Sequence, residues 1–175
     1  MNVTVIGAGY VGFSLALLIS REHEVNVLEI DEAKINKINN KALLRQDPSV
    51  DKFLKNTKLN LVANIYDKEF LKDSDLIIIC TPTNYDTSTG MFDTHTVDTI
   101  LNDIKKIKVK CPIIIKSTVP VGFTENRKKS NLLSDLIFSP EFLREDSALY
   151  DNMNPSRIVI GGDGKKAKMF GDMLI

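Results

Sequence analysis

The sequence predicts an α/β fold, a doubly wound and mainly parallel sheet with helices on both faces. Three observations carry that expectation. Short β-branched runs alternate with longer segments of helical spacing, as right-handed βαβ units require. Most of the runs lack strict in-out alternation, as strands buried on both faces should. The chain has 175 residues, which suits a single domain with a sizeable core. Strands are expected at 2–6, 25–29, 59–62, 76–80, 113–117, 136–138 and 157–160. Helices are expected at 10–21, 32–39, 94–107 and 124–133, where apolar residues recur every three or four positions, and Asp31 is placed to cap the second of them. The segment 41–56 is polar and contains Asp47-Pro48, and 84–93 is rich in Thr, Asp and Gly. Both read as surface loops or short helices. There are no internal repeats and no low-complexity linkers.

Composition removes several function classes. Acidic and basic residues balance at 23 each, without a long run of like charge, so the basic footprint of a nucleic-acid binder is missing. The longest apolar stretches are strand-sized, far short of a bilayer span. Met1 leads directly into an apolar strand with no basic region or cleavage site, which argues against a secretory signal and for a cytoplasmic location. Cys80 and Cys111 flank apolar runs and read as small buried hydrophobes kept reduced. His23 and His95 are isolated and read as solvated or capping residues, so no metal is expected.

The first chemical signal is Gly7-Ala8-Gly9-Tyr10-Val11-Gly12, which follows the opening strand and precedes an apolar helix. Gly7 permits the tight turn, Gly9 lets backbone approach a pyrophosphate, and Gly12 lets helix and strand pack closely, while the helix N-terminus offers free N–H groups and a positive dipole end. This is a Rossmann-like dinucleotide fingerprint. Roughly twenty residues further on, the second strand ends in Glu29, where a carboxylate is placed to accept from adenosine ribose hydroxyls. An acid there repels a 2′-phosphate and favours NAD over NADP, although Lys34 one turn later keeps the alternative open. Asp31 is a competing acid with a helix-capping role of its own. Three further motifs, Cys80-Thr81-Pro82-Thr83-Asn84, the nine residues from Lys116 to Thr124, and the seven from Ser139 to Glu145, each sit at a strand's carboxyl end. Ligands of open parallel sheets bind outside those ends.

Taken in order, GAGYVG, CTPTN, KSTVPVGFT, SPEFLRE and NPSRIVIG resemble the UDP-glucose/GDP-mannose dehydrogenase family, and the resemblance covers nearly the whole chain. It implies an NAD-binding domain over 1–175, with the central helical and C-terminal UDP-sugar-binding domains outside this chain. The implied reaction oxidises a nucleotide-sugar 6-hydroxyl twice with two NAD, UDP-glucose to UDP-glucuronate being favoured over the GDP-mannose and UDP-N-acetylmannosamine cases. By the same resemblance Gly7, Gly9, Tyr10, Val11, Gly12, Glu29, Lys34, Thr83, Thr118 and Glu145 would hold the cofactor. Glu141, Phe142, Leu143, Arg144 and Glu145 would meet the substrate. Thr118 would orient a water, and Glu141 and Glu145 would serve catalysis.

Competing readings remain at this level. Glu141 and Glu145 are four residues apart and equally suit one solvated helix face starting near Pro140, and Thr83 and Thr118 suit ordinary strand-end hydroxyls. The family's cysteine nucleophile and its lysine, asparagine and glycine-rich motifs have no counterpart here, and neither Cys80 nor Cys111 is placed to replace that nucleophile. The chain stops within an apolar helix begun near Lys165, which reads as a truncation. The expectation is therefore a half-enzyme that binds NAD, is inactive alone, and belongs to a homodimer at full length. A stand-alone dinucleotide-binding module is the alternative.

Overall fold

A computed structural model describes residues 1–42, 44, 48–131, 133, 135–162 and 164–175. In chain order the elements are β1 (Asn2–Ile6), α1 (Tyr10–Ile19), β2 (Glu24–Glu29), α2 (Glu32–Asn39), α3 (Pro48–Asn56), β3 (Leu61–Ile65), β4 (Leu76–Ile79), β5 (Tyr85–Asp86), β6 (Met91–Phe92), α4 (His95–Ile107), β7 (Ile113–Ile115), α5 (Phe123–Asn131), β8 (Leu136–Phe138), α6 (Ala148–Met153) and α7 (Lys165–Met173). Six strands form one sheet in the order β3-β2-β1-β4-β7-β8, with every neighbouring pair parallel. The order reverses between β1 and β4, and the crevice outside the strand ends at that switch point is where open α/β sheets bind ligands.

The period of two along each strand sends alternate side chains to opposite faces. Val3, Val5, Val25, Val27, Leu76, Ile78 and Ile114 enter one core with the buried faces of α1, α6 and α7. Ile6, Leu28, Ile77, Ile79, Ile113, Ile115 and Leu136 enter the other with Val97, Ile100, Leu101 and Ile104 of α4. Burying one such aliphatic side chain contributes about 1.5–3 kcal/mol, so β4 and β7, both buried along their full length, anchor the middle of the sheet. Asp31 caps α2 as expected, its Oδ1 accepting from Ala33 N at 2.9 Å and Lys34 N at 3.3 Å.

Three expectations need correction. Residues 157–160 form no strand. They run beside β8, but Ser139 Oγ donates to Val159 O at 2.8 Å and Gly161 N donates to Phe138 O at 2.7 Å, so a side chain takes a carbonyl that a ladder would need. Strand β3 lies at 61–65 rather than 59–62, because its pairing with β2 runs on to Ile65 opposite Glu29, and Asn64 Nδ2 donates to Asn26 Oδ1 at 2.8 Å across the pair. Strands β4 and β7 end at Ile79 and Ile115, short of Cys80 and Ser117, because Lys116 N and Ser117 N both donate to Ile79 O. Of the two polar segments, 84–93 carries the β5–β6 hairpin. In 41–56, Pro48 opens α3 at the position proline favours, while Asp47 lies outside the described residues, as does Leu132 in the predicted fourth helix. No helix among the described residues is long and apolar enough to cross a membrane.

Candidate functional site at the carboxyl ends of the strands

The turn from β1 to α1 is built around glycines with different reasons to be there. Gly7 has φ +96°, and a Cβ on it would stand 2.8 Å from Cys80 O. A Cβ on Gly12 would stand 2.0 Å from Gly7 O. Both are imposed by the packing of β1, α1 and β4. Around Gly9 nothing lies within 4 Å of such a Cβ, so no protein neighbour demands a glycine there. Gly9 is also the N-terminal cap of α1 and provides no side-chain cap, leaving the first helical N–H groups turned toward open space. A bare backbone facing a cleft at the positive end of a helix suits an anionic pyrophosphate. Tyr10 is exposed beside it, whereas Val11 packs against the core.

Glu29 closes this loop from β2. It is only 7 % exposed, and its carboxylate accepts from Ala8 N at 2.8 Å through Oε2 and from Ile30 N at 2.8 Å and Asp31 N at 3.2 Å through Oε1. Lys34 Nζ stands 3.5 Å from Oε2. The acid thus ties the glycine loop to the end of β2. A cavity of about 540 Å³ opens on one side of the loop, bordered by Gly9, Glu29, Lys34, Tyr66, Thr96 and Ile100 among others. A second, of about 310 Å³, lies on the other side, where Tyr10, Lys34 and Glu145 meet. In the larger cavity the Tyr66 hydroxyl donates to Asp103 Oδ2 at 3.1 Å, and burial together with that acid raises its pKa. His95, at the start of α4, also borders it.

The other half of the crevice is built from the ends of β4, β7 and β8. Lys116 is 9 % exposed and its Nζ donates to Pro140 O at 3.4 Å. Ser117 Oγ donates to Thr81 O at 2.7 Å, tying the β7 end to the β4 end. Glu141 follows, with Oε2 shielded from solvent and without a hydrogen-bond partner. Burial pushes its pKa up to about 7, opposed in part by the positive charge of Lys116. Burial in turn lowers the pKa of Lys116. Cys80 lies in the same cluster, its thiol pushed up to about 12 by burial, which keeps it protonated and unreactive. Cys111 is raised to about 11, also chiefly by burial, and both cysteines are free thiols.

Glu141 and Glu145 do not share a helix face. Residues 141–144 are irregular, and Glu145 opens a short 3₁₀ turn before α6. The loop is fixed by Asp151, whose Oδ2 accepts from Arg144 N at 2.9 Å and whose Oδ1 accepts from Arg144 Nη2 at 2.6 Å. The Arg157 guanidinium lies 3.9 Å from the centre of the Phe142 ring. Glu141, Phe142 and Leu143 border a small cavity of about 40 Å³ together with Lys116 and Arg157, and Arg144 joins Phe142 and Leu143 on the adjoining surface. Thr83 is half-buried past β4 and Thr118 exposed past β7, both outside these cavities. Lys116, Tyr66 and Thr96 border these cavities without being among the individual residues expected from sequence. Lys116 was visible only as the first letter of a motif, and the other two lie outside every motif. Among the described residues no group of His, Cys, Asp or Glu is arranged to hold a metal ion.

Comparison with known proteins places this geometry. The sequence profile of the UDP-glucose/GDP-mannose dehydrogenase family, NAD binding domain, matches residues 1–174. UDP-glucose 6-dehydrogenase of Campylobacter jejuni is 44% identical over 179 residues, covering 100% of this chain and 45% of the relative. The Streptococcus pneumoniae UDP-glucose 6-dehydrogenase is 41% identical over 180 residues, covering 99% and 46%. The chain thus spans somewhat under half the length of these curated relatives. Among solved structures, a ternary complex of GDP-mannose dehydrogenase from Pseudomonas aeruginosa superposes with a TM-score of 0.83 at 26% identity, covering 99% of this chain and 44% of that one. A UDP-glucose dehydrogenase from Pyrobaculum islandicum gives 0.82 at 24% identity, covering 99% and 43%, and shows the shared fold. The chain therefore belongs to the UDP-glucose/GDP-mannose dehydrogenase family and is its NAD-binding domain.

Proposed function

We propose that this chain is the cofactor half of a UDP-glucose 6-dehydrogenase, binding NAD but turning over no substrate by itself. The observation that carries the reading is the placement of the glycine loop and a half-buried carboxylate of near-neutral pKa, Glu141, at the ends of one parallel sheet. The identity of 41–44% to UDP-glucose 6-dehydrogenases favours UDP-glucose over GDP-mannose or UDP-N-acetylmannosamine.

The residues suit the dinucleotide. The open side of Gly9 and the uncapped start of α1 accept its pyrophosphate; the Glu29 and Lys34 end of the larger cavity accepts its adenosine ribose. Val11 supports that turn from the core, and Thr83 and Thr118 flank the nicotinamide end. When bound, NAD supplies the hydride acceptor. The chain's own groups prepare the other partner. Glu141, protonated and ionised in comparable amounts at neutral pH, takes or returns a proton at one carboxylate oxygen. Thr118 orients a water, and Glu145 borders cofactor and sugar together. Phe142, Leu143 and Arg144 offer backbone to the substrate, their loop held by Asp151. The cysteine nucleophile, the remaining sugar contacts and the homodimer interface belong to the longer protein, which is expected to work in the cytoplasm.

The test is NADH formation from NAD with UDP-glucose, run on this chain and on a longer protein that carries it joined to the family's second half. Turnover by the longer protein with UDP-glucose, and none by this chain, supports the reading. A preference for GDP-mannose or UDP-N-acetylmannosamine reassigns the substrate, and steady turnover by this chain alone overturns the half-enzyme.

A further inference from the structure

We propose that Lys116 is the positioning residue of Glu141, holding the Pro140–Glu141 turn by its ammonium and providing the positive charge against which the Glu141 carboxylate ionises. The inference deepens the proposed acid-base role of Glu141 and rests on it. Four observations support it. Lys116 leaves β7 at the sheet's ligand-facing end and is buried, a position that lysine rarely takes without a specific task. Its Nζ donates to Pro140 O, the carbonyl immediately before Glu141. Both side chains border the same cavity of about 40 Å³, large enough for one water molecule. Glu141 Oε2 is shielded and has no hydrogen-bond partner in the protein, so its charge is stabilised by fields rather than by direct bonds.

Among the described residues the groups facing Glu141 are few. Lys116 faces it from β7, Cys80 from the end of β4 as a neutral thiol, and Arg157 from the segment beyond α6, where its guanidinium is stacked on Phe142. Leu18 and Asn152, which border the cavity from α1 and α6, carry no charge. Of these two cations it is Lys116, not the stacked Arg157, whose charge offsets the burial of this carboxylate. A buried carboxylate with no cation ionises only at high pH, and one in a tight ion pair stays ionised throughout. A lysine nearby but anchored to a carbonyl instead holds the acid between those limits, where proton transfer in both directions is cheap.

The test follows the Glu141 carboxyl carbon by NMR across pH in the 175-residue chain, comparing the parent with Lys116→Met and Lys116→Arg. Lys116→Met keeps the stem's volume and removes the charge. The proposal expects the Glu141 ionisation constant to fall at least tenfold in Lys116→Met and to recover in Lys116→Arg, with the amide signal of Glu141 displaced in the first and restored in the second. Because coupling is reciprocal, Glu141→Gln should lower the Lys116 titration by a similar factor, which gives a second reading should Lys116→Met fold poorly. Titration of Glu141 unchanged in a folded Lys116→Met chain, or of Lys116 unchanged in Glu141→Gln, overturns the proposal. The proposed function is read separately, by NAD binding and UDP-glucose turnover of the parent protein, so its failure and the failure of this inference are distinguishable.

Discussion

Glu29 and Glu141 are both shielded carboxylates at the ligand end of a parallel sheet, one after β2 and one after β8, yet their surroundings are opposite. Glu29 accepts from three backbone N–H groups and stands beside Lys34. Glu141 has an oxygen with no partner and a lysine that spends its hydrogen bond on a neighbouring carbonyl. A carboxylate saturated with fixed donors is a structural tie that sets the shape of the glycine loop. A carboxylate left without them is free to change protonation state. The same residue type thus builds the cofactor side of the crevice and equips the chemical side, and the visible difference is in hydrogen-bond supply.

Substitutions sharpen that contrast, beginning with the largest expected effect. Gly12→Ala drives a methyl group onto Gly7 O, where both partners are backbone or close to it. Overpacking of this kind should cost about 3 kcal/mol or more by denaturant unfolding and abolish dinucleotide binding, whereas Gly9→Ala, facing open space, should leave stability nearly unchanged and weaken binding alone. Glu29→Ala strands backbone donors in a buried loop and should cost about 2–3 kcal/mol, with Glu29→Gln losing less because one acceptor remains.

Glu141 should show the reverse behaviour. Its folded pKa, about 7, lies above the ordinary value of 4.5, so folding favours the protonated form. Its contribution to stability is complete below the unfolded value and is lost as pH rises from about 4.5 through about 7. Allowing for partial exposure, that loss amounts to about 2 kcal/mol. Glu141→Gln should remove this slope from a pH series of unfolding curves and be as stable as the parent at low pH; an identical slope in the variant would show that Glu141 titrates normally. The smallest effect is expected for Asp151→Asn, which weakens an ion pair to an exposed arginine and should cost less than about 1 kcal/mol while loosening the loop that carries Phe142 and Arg144.

Much of this was legible beforehand. The parallel sheet, the glycine turn and the capping role of Asp31 follow from local pattern, because each depends on a few adjacent residues. The three strand-end motifs could be seen to converge, since parallel topology alone brings strand ends together. What escaped was set by distant partners. Whether residues 157–160 pair with β8 depends on the Ser139 hydroxyl; that Glu29 also ties down Ala8 depends on loop geometry. The role of Lys116 depends on a turn 24 residues further along the chain, a separation that no periodicity reveals.

The most direct test of the cofactor assignment is calorimetric titration of this chain with NAD and with NADP, beside its Glu29→Ala variant. The account predicts one saturable NAD site, binding of NADP at least tenfold weaker, and loss of NAD binding in the variant. A folded sample that takes up no NAD, or that binds NADP equally well, would contradict it.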